Sequence, residues 1–300
     1  MQAIYACNQT DSYHFSRSEH ELFEGLGKLH DLYYFVLSFI LEIGEMDRMQ
    51  HEDLEQRNTG KKPVNTRFSD NEFLVMLRES EDLKKAIKRN KLTWQNDQDL
   101  VRKVYLKFMK GTEYNNYSEM QGPVSREKSL EIVDVLVRKF IQTSDVLKNY
   151  LEEKSIYWVS HVDFICKMVL RSFQSVGDDN LFYSMPLFKD DEDDKDFVRV
   201  LFRKTMQDDE IFMELIRNKT LNWELERMTI VDLILMKMAL AEVMNFPLIP
   251  IKVSINEYIE ISKEYSSPKS KVFINGVVDK VVAELLNTGK IKKVGRGLLE

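Results

Sequence analysis

Apolar residues recur three and four positions apart along most of the chain, which is the spacing of one face of an α-helix. No stretch shows the sustained alternation of apolar and polar residues that a half-buried strand would have. Glycines and prolines separate the long helical stretches at Gly60/Pro63, Gly111, Gly122-Pro123, Gly177/Pro186, Pro247/Pro250 and Pro268. This pattern predicts an all-α fold in which a helical bundle is extended by repeated helical units.

The clearest pair of helices is predicted on the two sides of Pro268. Ser254 and Glu257 have the spacing of a capping box, which predicts a helix that starts at Ser254. Pro268 suits the first turn of the next helix, with Ser267 as its N-cap. Gly276 lies inside that second helix, where glycine costs about 1 kcal/mol relative to alanine. We therefore expect a close approach of a ligand or another backbone at Gly276, and close helix packing is the simpler of the two explanations.

The first part of the chain, residues 9–62, is predicted to form an opening module. It contains a helix around 22–29, a buried apolar helix around 32–43, and a polar tail at 48–62 that suits a solvated linker. Two further linkers are predicted, at 111–126 and 177–195.

The three tryptophans end similar local patterns at a nearly constant interval. Trp94 and Trp158 are 64 residues apart, and Trp158 and Trp223 are 65 residues apart. A period of this length indicates one unit of two or three helices used three times, with each unit burying a face on its neighbours. The resulting domain division is 1–62, 63–186 for the repeats, and 187–300 for a C-terminal helical domain with a basic tail.

Charge and cysteine content limit the possible functions. The net charge is −6, so any nucleic-acid site must be a local basic patch on an acidic protein. Cys7 and Cys166 are the only cysteines and are too few for a thiolate zinc site, so both are expected in the core. The chain shows no secretory signal and no apolar run long enough to span a membrane, so we expect a soluble, cytoplasmic protein.

The sequence offers little for catalysis. It contains no phosphate-binding glycine loop, no nucleophile elbow, and no histidines at ligand spacing, so neither an enzyme nor a cofactor is expected. The acidic run 190–194 suits either a hard cation or the N-terminus of a helix, and the second interpretation is favoured because negative charge stabilises a helix start.

Lys269, Lys271 and Phe273 are the most informative basic and aromatic residues. The two lysines lie in the first turn of a predicted helix, where free amides can hold a phosphate, and Phe273 follows one turn later. Its ring suits base stacking. From these residues alone, a buried Phe273 beside two solvated lysines is the favoured interpretation.

Three motifs in this half of the chain occur in a fixed order with characteristic gaps. They are Val231-Asp-Leu-Ile-Leu-Met-Lys-Met-Ala-Leu-Ala-Glu242, Ile251-Lys-Val-Ser-Ile-Asn-Glu257 and Val272-Phe-Ile-Asn-Gly-Val-Val-Asp-Lys280. Together they resemble the signature of the NusB transcription antitermination family, in a long form with a helical insertion after the first helix. The resemblance runs from about Asp196 to Leu286 and reappears at Gln2-Ala-Ile-Tyr5.

The resemblance implies function and partners. NusB proteins pair with NusE, a small ribosomal subunit protein, bind boxA-type single-stranded RNA, and keep the transcription elongation complex processive in ribosomal RNA operons. The RNA-binding positions implied by the resemblance are Tyr5, Arg203, Lys204, Lys269, Lys271 and Phe273.

This chain departs from the family pattern in two ways that bear on RNA affinity. The family has an arginine-rich segment before its first helix, whereas this chain begins within that helix, and Val272 replaces a usual lysine. Basic residues in the tail 290–296 offer further phosphate contacts if the tail is not simply solvated.

The alternative function is a helical-repeat scaffold for protein partners with a weakened or lost RNA surface. A NusB-like RNA-modifying enzyme would need a cofactor-binding domain, which we do not find in the sequence.

Overall fold

The computed structural model describes residues 1–9, 14–57, 66–158, 160–220 and 228–298, with side chains of the second helix described as far as Asp53. Within these ranges the chain forms α-helices and no strands, so the predicted all-α fold is confirmed. The α-helices are α1 Gln2–Asn8, α2 Phe15–Arg57, α3 Glu72–Glu79, α4 Glu81–Asn90, α5 Gln98–Met109, α6 Thr112–Ser118, α7 Arg126–Val135, α8 Asp145–Lys154, α9 Val162–Gln174, α10 Asp191–Gln207, α11 Asp209–Lys219, α12 Ile230–Asn245, α13 Ile251–Tyr265 and α14 Ser270–Asn287. A π-helical segment, Leu136–Ile141, continues α7, and a 3₁₀ turn, Gly295–Leu298, follows α14.

The chain divides into two compact units. We call Met1–Phe23 with Phe188–Glu300 the terminal unit, and Glu24–Leu187 the central unit. The three-domain division from the sequence stays a prediction, because compactness does not show which segments fold independently. Within the described ranges, no helix is long and apolar enough to cross a membrane.

The terminal unit is built around α12, which is buried on nearly every side. Helices α1, α10, α11, α13 and α14 all pack against it. Its three buried charged side chains all have partners: Lys237 Nζ lies 2.5 Å from Asp209 Oδ1, Glu242 accepts a 2.6 Å hydrogen bond from Tyr258 Oη, and Asp232 accepts from two serine hydroxyls. A helix that is apolar all round needs such a shell, and paired partners offset the cost of burying its charges.

The central unit packs around α2. The ring of Phe35 stacks on Trp94 with 4.1 Å between centroids and lies 5.3 Å from Trp158. The indole N–H of Trp94 donates to Ser38 Oγ at 3.0 Å, and that of Trp158 donates to the Lys28 carbonyl at 2.7 Å. The two tryptophans of the predicted repeat are therefore both anchored on one helix.

The order of helices fits the predicted repeat of three. Each of Trp94 and Trp158 lies in the loop of a helix–loop–helix, α4 to α5 and α8 to α9. The third tryptophan, Trp223, falls between α11 and α12 but lies outside the described residues, so its part of the repeat stays a prediction.

Helix α2 corrects the predicted opening module. The prediction of two separate helices followed by a polar linker is wrong as far as Arg57, because one helix runs from Phe15 to Arg57. The remainder of that linker, with Gly60 and Pro63, lies outside the described residues. Two of the three glycines of α2 serve packing instead of breaking the helix: a Cβ on Gly25 would lie 3.1 Å from the Tyr157 ring, and one on Gly44 3.1 Å from Leu74.

The predicted linker at 111–126 contains a helix, which is a second correction. Helix α6 forms there because Tyr114 and Tyr117, three positions apart, are both buried. The Tyr114 hydroxyl donates to Asp47 at 2.5 Å, and the Tyr117 hydroxyl accepts from Asn71 Nδ2 at 2.9 Å. Tertiary packing thus outweighs a glycine-flanked, polar local sequence.

The interval between α9 and α10 is irregular as far as Asp190, in keeping with the third predicted linker. Asp190 is the N-cap of α10, and its carboxylate accepts from the backbone N–H groups of Glu192 and Asp193, both at 3.1 Å. The helix-start interpretation of the acidic run is therefore confirmed.

Candidate nucleic-acid interface

The start of α14 is fixed to the start of α12 by a buried carboxylate. Asp232, 5% exposed, accepts hydrogen bonds from Ser266 Oγ at 2.5 Å and from Ser270 Oγ at 3.1 Å. Its own backbone N–H donates to Thr229 Oγ1 at 3.1 Å, which caps α12. A further contact of 2.8 Å joins the hydroxyls of Ser267 and Ser270. The turn that carries the predicted lysines is therefore held by several side chains.

The two lysines of this turn are exposed to solvent. Lys269 is the N-cap residue of α14 and makes no side-chain cap, and the first turn contains no acidic residue. The helix dipole and the ammonium groups of Lys269 and Lys271 add the same sign of charge here. This arrangement can hold a phosphate by charge and by backbone N–H groups together.

Phe273 lies one turn further along α14 and is partly buried against the terminal-unit core. Phe273 therefore packs against the core and keeps some solvent exposure, which lies between the two interpretations of this residue. A ring held in this way is suited to stack with a base, because little further side-chain freedom is lost on binding.

Val272 beside it is 70% exposed, so the residue that replaces the usual lysine contributes an apolar surface to the same helix turn.

Tyr5 lies on α1, which packs on α12 through the buried residues Ile4 and Cys7. The Tyr5 side chain points away from this contact and is 40% exposed. Both cysteines are buried, as expected for core residues.

Arg203 and Lys204 lie on α10 and are engaged in ion pairs. Arg203 Nε donates to Glu19 at 2.6 Å, and Arg199 Nε donates to the other carboxylate oxygen of Glu19 at 3.0 Å. Lys204 lies 4.0 Å from Asp208. Part of their positive charge is therefore neutralised, and we expect Arg203 and Lys204 to attract a phosphate less strongly than Lys269 and Lys271 do.

Gly276 does not serve close helix packing. That explanation, the simpler of the two given for a glycine inside α14, is therefore wrong. A Cβ built on this residue would meet nothing within 4 Å. By helical spacing Gly276 lies on the same stripe of α14 as Lys269 and Phe273. The expectation that a ligand approaches closely here stays a prediction.

The start of α13 also differs from the prediction. The helix begins at Ile251 with Pro250 as its N-cap, and Ser254 is a fully buried residue of the first turns. The capping-box interpretation of Ser254 and Glu257 is therefore wrong. Helix α14 begins at Ser270, two residues later than predicted.

The C-terminal tail folds back onto the α12–α13 connection. Ile291 is buried, and the Lys293 ammonium donates to the Phe246 carbonyl at 2.9 Å. Partial burial lowers the pKa of Lys293, with the charge of Glu242 acting in the opposite sense. Gly297 lies against the Pro247 carbonyl, so closely that a Cβ would be 2.0 Å from the oxygen. The tail up to Leu298 is thus ordered, and Lys293 has a structural partner.

The sequence identified the exposed residues of this surface but missed the residues that position them. Asp232 lies within one of the motifs that resemble the NusB family, and Ser266 and Ser270 flank the predicted helix start, but no sequence pattern marks any of them as a positioning residue. The available sequence signal is an acid in the first turn of a mostly apolar helix, followed later by a serine-rich turn. Helices α1, α10 and α14 bring the six predicted residues onto one α12-centred bundle, and their roles in binding stay predictions.

Other chemistry is not apparent in the part of the chain that the structure describes. There, no group of three or more His, Cys, Asp or Glu side chains is arranged to hold a metal ion. His30 stacks near Tyr33 and Tyr34, and its Nε2 lies 2.9 Å from the Met185 carbonyl, which is a structural role.

Comparison with known proteins places this bundle in a family. The NusB family model matches residues 168–283, which lie mostly in the terminal unit. A "Transcription antitermination protein NusB" of Salinibacter ruber is 41% identical over 110 residues, 37% of this chain and 69% of that protein. No solved structure gives a significant match.

Two further relatives with the same printed name match shorter stretches. The protein of Chloroherpeton thalassium is 49% identical over 79 residues, 26% of this chain and 37% of that protein. The protein of Natranaerobius thermophilus is 41% identical over 64 residues, 21% of this chain and 46% of that protein. The matches to these two relatives thus span less than half of their length.

NusB proteins are antitermination factors without enzymatic activity, so the prediction that this chain is not an enzyme is confirmed by its relatives. Residues 24–167, most of the central unit, lie outside the family match, so what they bind is a separate question. On the similarity of its terminal unit and the match to more than two-thirds of the Salinibacter protein, the chain belongs to the NusB family of transcription antitermination proteins.

Proposed function

We propose that this protein is a cytoplasmic antitermination factor that binds boxA-type single-stranded RNA together with ribosomal protein NusE. The complex keeps RNA polymerase processive in ribosomal RNA operons as part of the transcription elongation complex. Family membership supports the antitermination role, and the geometry at the start of α14 supports the RNA site.

The observation that carries the proposal is the exposed, acid-free first turn of α14. Lys269 and Lys271 are exposed there, while the buried Asp232 carboxylate fixes the turn by accepting hydrogen bonds from Ser266 and Ser270. A preorganised turn binds its ligand at a lower entropic cost than a mobile one.

The proposed mechanism is recognition without catalysis. The lysines and the backbone N–H groups of Lys271 and Val272 hold a phosphate, since the N–H of Ser270 already donates to the Ser267 carbonyl, and Phe273 stacks with an unpaired base. Arg203, Lys204 and Tyr5 contact the remaining nucleotides more weakly, because the two cations of α10 already have acidic partners. NusE binds a separate helical face.

The experiment replaces the proposed contacts one kind at a time. We expect K269E/K271E to lower the salt dependence of boxA RNA binding, with a log–log slope reduced by roughly 1.4 for two lost phosphate contacts. Phe273→Ala should weaken binding by about 1–3 kcal/mol through the lost stacking. Fluorescence anisotropy at several salt concentrations measures both effects.

Lys280→Glu is the matched control, since Lys280 is an exposed cation on the same helix, far from its first turn. Circular dichroism melts confirm that each variant is folded. Unchanged RNA affinity in a folded K269E/K271E protein would exclude this site. If NusE still bound while boxA RNA did not, the alternative function of a protein-interaction scaffold would replace the proposal.

A further inference from the structure

The first helix–loop–helix of the central unit carries a concentrated positive charge. The segment from Leu83 to Lys110, which contains α4 and α5, has nine lysines and arginines and only two aspartates, in a chain whose net charge is −6. The rest of the protein is therefore strongly acidic, and this surface is a local exception.

Most of these cations are exposed and make no ion pair with the described residues. On α5, Lys103, Lys107 and Lys110 are exposed, and no acidic group in the described ranges lies within ion-pair distance of them. On α4, the same holds for Lys85 and Lys88. Lys84 is an exception, since its ammonium lies 2.8 Å from Glu81.

The cations of α5 lie on one side of the helix. Lys103, Lys107 and Lys110 are spaced four and three residues apart, which places them on a single stripe. The opposite side, with Val101, Tyr105 and Phe108 among its residues, is buried in the central-unit core. The stripe therefore has no packing role, and the like charges repel one another in the free protein.

The equivalent unit one repeat later shows that the fold does not require this charge. The segment from Leu147 to Gln174, with α8 and α9, has four lysines and arginines against three acidic residues. Two of its cations are in ion pairs: Lys148 lies 3.9 Å from Asp163, and Lys154 lies 3.9 Å from Asp97. The same architecture is thus built with nearly balanced charge.

The surface chemistry favours a nucleic-acid backbone over a protein or a membrane. Among the described residues between Met49 and Val146, no large hydrophobic side chain is exposed. Protein interfaces are centred on apolar or aromatic anchors, and membrane-surface helices insert an apolar face. Trp94, Tyr105 and Phe108 are all buried, so no ring is available for stacking with bases. What remains is charge alone, which recognises phosphates without reading sequence.

We propose that the α4–α5 helix pair is a second RNA-binding surface, which holds the phosphodiester backbone of single-stranded RNA without sequence preference. Its residues lie outside the stretch that matches the NusB family. The inference rests on the proposed function only in taking RNA as the ligand. Helices α4 and α5 thereby add affinity for the RNA backbone, while the contacts that recognise the RNA sequence lie elsewhere in the protein.

The test uses oligouridine, which contains no boxA sequence, with the full-length protein. K103Q/K107Q removes two cations from α5, and K167Q/R171Q removes the exposed cations at the corresponding positions of α9, 64 residues later. We expect K103Q/K107Q to weaken oligouridine binding and to reduce the log–log salt slope by roughly 1.4, and K167Q/R171Q to leave both unchanged. Fluorescence anisotropy across a salt series measures both quantities.

The outcomes separate this inference from the proposed function. Unchanged oligouridine binding in K103Q/K107Q, or an equal loss in both double variants, would overturn the second surface. So would competition by polyglutamate as effective as competition by RNA, because the surface would then suit an acidic polypeptide. Failure of the α14 site appears instead as unchanged boxA binding in K269E/K271E, and it leaves the response of K103Q/K107Q to oligouridine intact.

Discussion

At the first turn of α12, the carboxylate of Asp232 accepts hydrogen bonds from two serines of the turn before α14. It is nearly fully buried, so water cannot replace these bonds if the acceptor is removed. A single residue on one helix thereby determines where the cationic turn of another helix lies.

Replacing Asp232 with alanine should both destabilise the protein and weaken RNA binding. We expect a loss of about 1–3 kcal/mol in the free energy of unfolding, because two hydroxyl donors lose their acceptor. Urea denaturation measures the stability change and anisotropy measures RNA affinity. Asp279→Ala on the exposed side of α14 is the control and should leave both nearly unchanged. Wild-type affinity in a folded Asp232→Ala protein would show that the network does not position the site.

A second buried carboxylate, Asp47, belongs to the central unit. It accepts hydrogen bonds from the hydroxyls of Tyr105 at 3.1 Å and Tyr114 at 2.5 Å and from the Ser69 N–H at 3.2 Å, and His51 lies 3.5 Å away. Burial raises the pKa of Asp47, and the hydrogen bonds and His51 offset only part of that rise.

The raised pKa of Asp47 predicts a pH dependence of stability. The native state binds this proton more tightly than the unfolded state, so its stabilising contribution decreases as pH rises from about 3.9 through the native pKa. Asp47→Asn cannot titrate, so the stability of the wild type relative to this variant should fall over the same interval. Unfolding free energies at a series of pH values measure the difference, and a constant difference would contradict the account.

At the scale of the element, α14 has a first turn that is fixed by hydrogen bonds and a stripe of residues, Lys269, Phe273 and Gly276, that lie on one side of the helix. Gly276 lies on that stripe in the interior of the helix, where nothing in the described structure meets its missing side chain. Glycine weakens a helix interior, and we propose that close approach of a ligand is the reason for its presence.

Gly276→Ala should therefore separate stability from binding. We expect the free energy of unfolding to rise by about 1 kcal/mol, from the gain in helix propensity, and RNA affinity to fall because the methyl group obstructs close approach. Gly27→Ala in α2 is the matched control, since a Cβ there also meets nothing within 4 Å. It should stabilise the protein without changing RNA affinity. Equal RNA binding by both variants would remove Gly276 from the site.

Helical periodicity predicted the helices well where one face is buried and failed where tertiary contacts decide. The Ser254 spacing matched a capping box because serine and glutamate three residues apart also occur within helices, and only Pro250 marks the actual start. Gly25 and Gly44 lie inside α2, where glycine disfavours a helix, but they give room to Tyr157 and Leu74. Helix α6 is stabilised by tyrosines that reach partners distant in sequence, which no local pattern reveals.

The same limits apply to the candidate site. Lys269, Lys271 and Phe273 were accessible to sequence reasoning because helix starts and family motifs have recognisable spacing. The ion pairs that occupy Arg203 and Lys204 were not, since Glu19 is 184 residues from Arg203 along the chain. The positive charge of α4 and α5 was present in the sequence, but its exposure and lack of partners required the structure.

At the scale of the whole molecule, the terminal unit carries most of the family match and the central unit carries the first two of the predicted repeats. In a chain whose net charge is −6, the start of α14 and the α4–α5 pair are local concentrations of positive charge. Both are expected to hold RNA by releasing counterions, and only the first is expected to distinguish one RNA sequence from another.

The most direct test of the central claim is a titration of a short boxA-type RNA, against a scrambled control, with the protein alone and with NusE at two salt concentrations. We predict selective binding of the boxA sequence, tighter with NusE and weaker at the higher salt concentration. Equal affinity for boxA and scrambled RNA in the presence of NusE would contradict antitermination through boxA recognition.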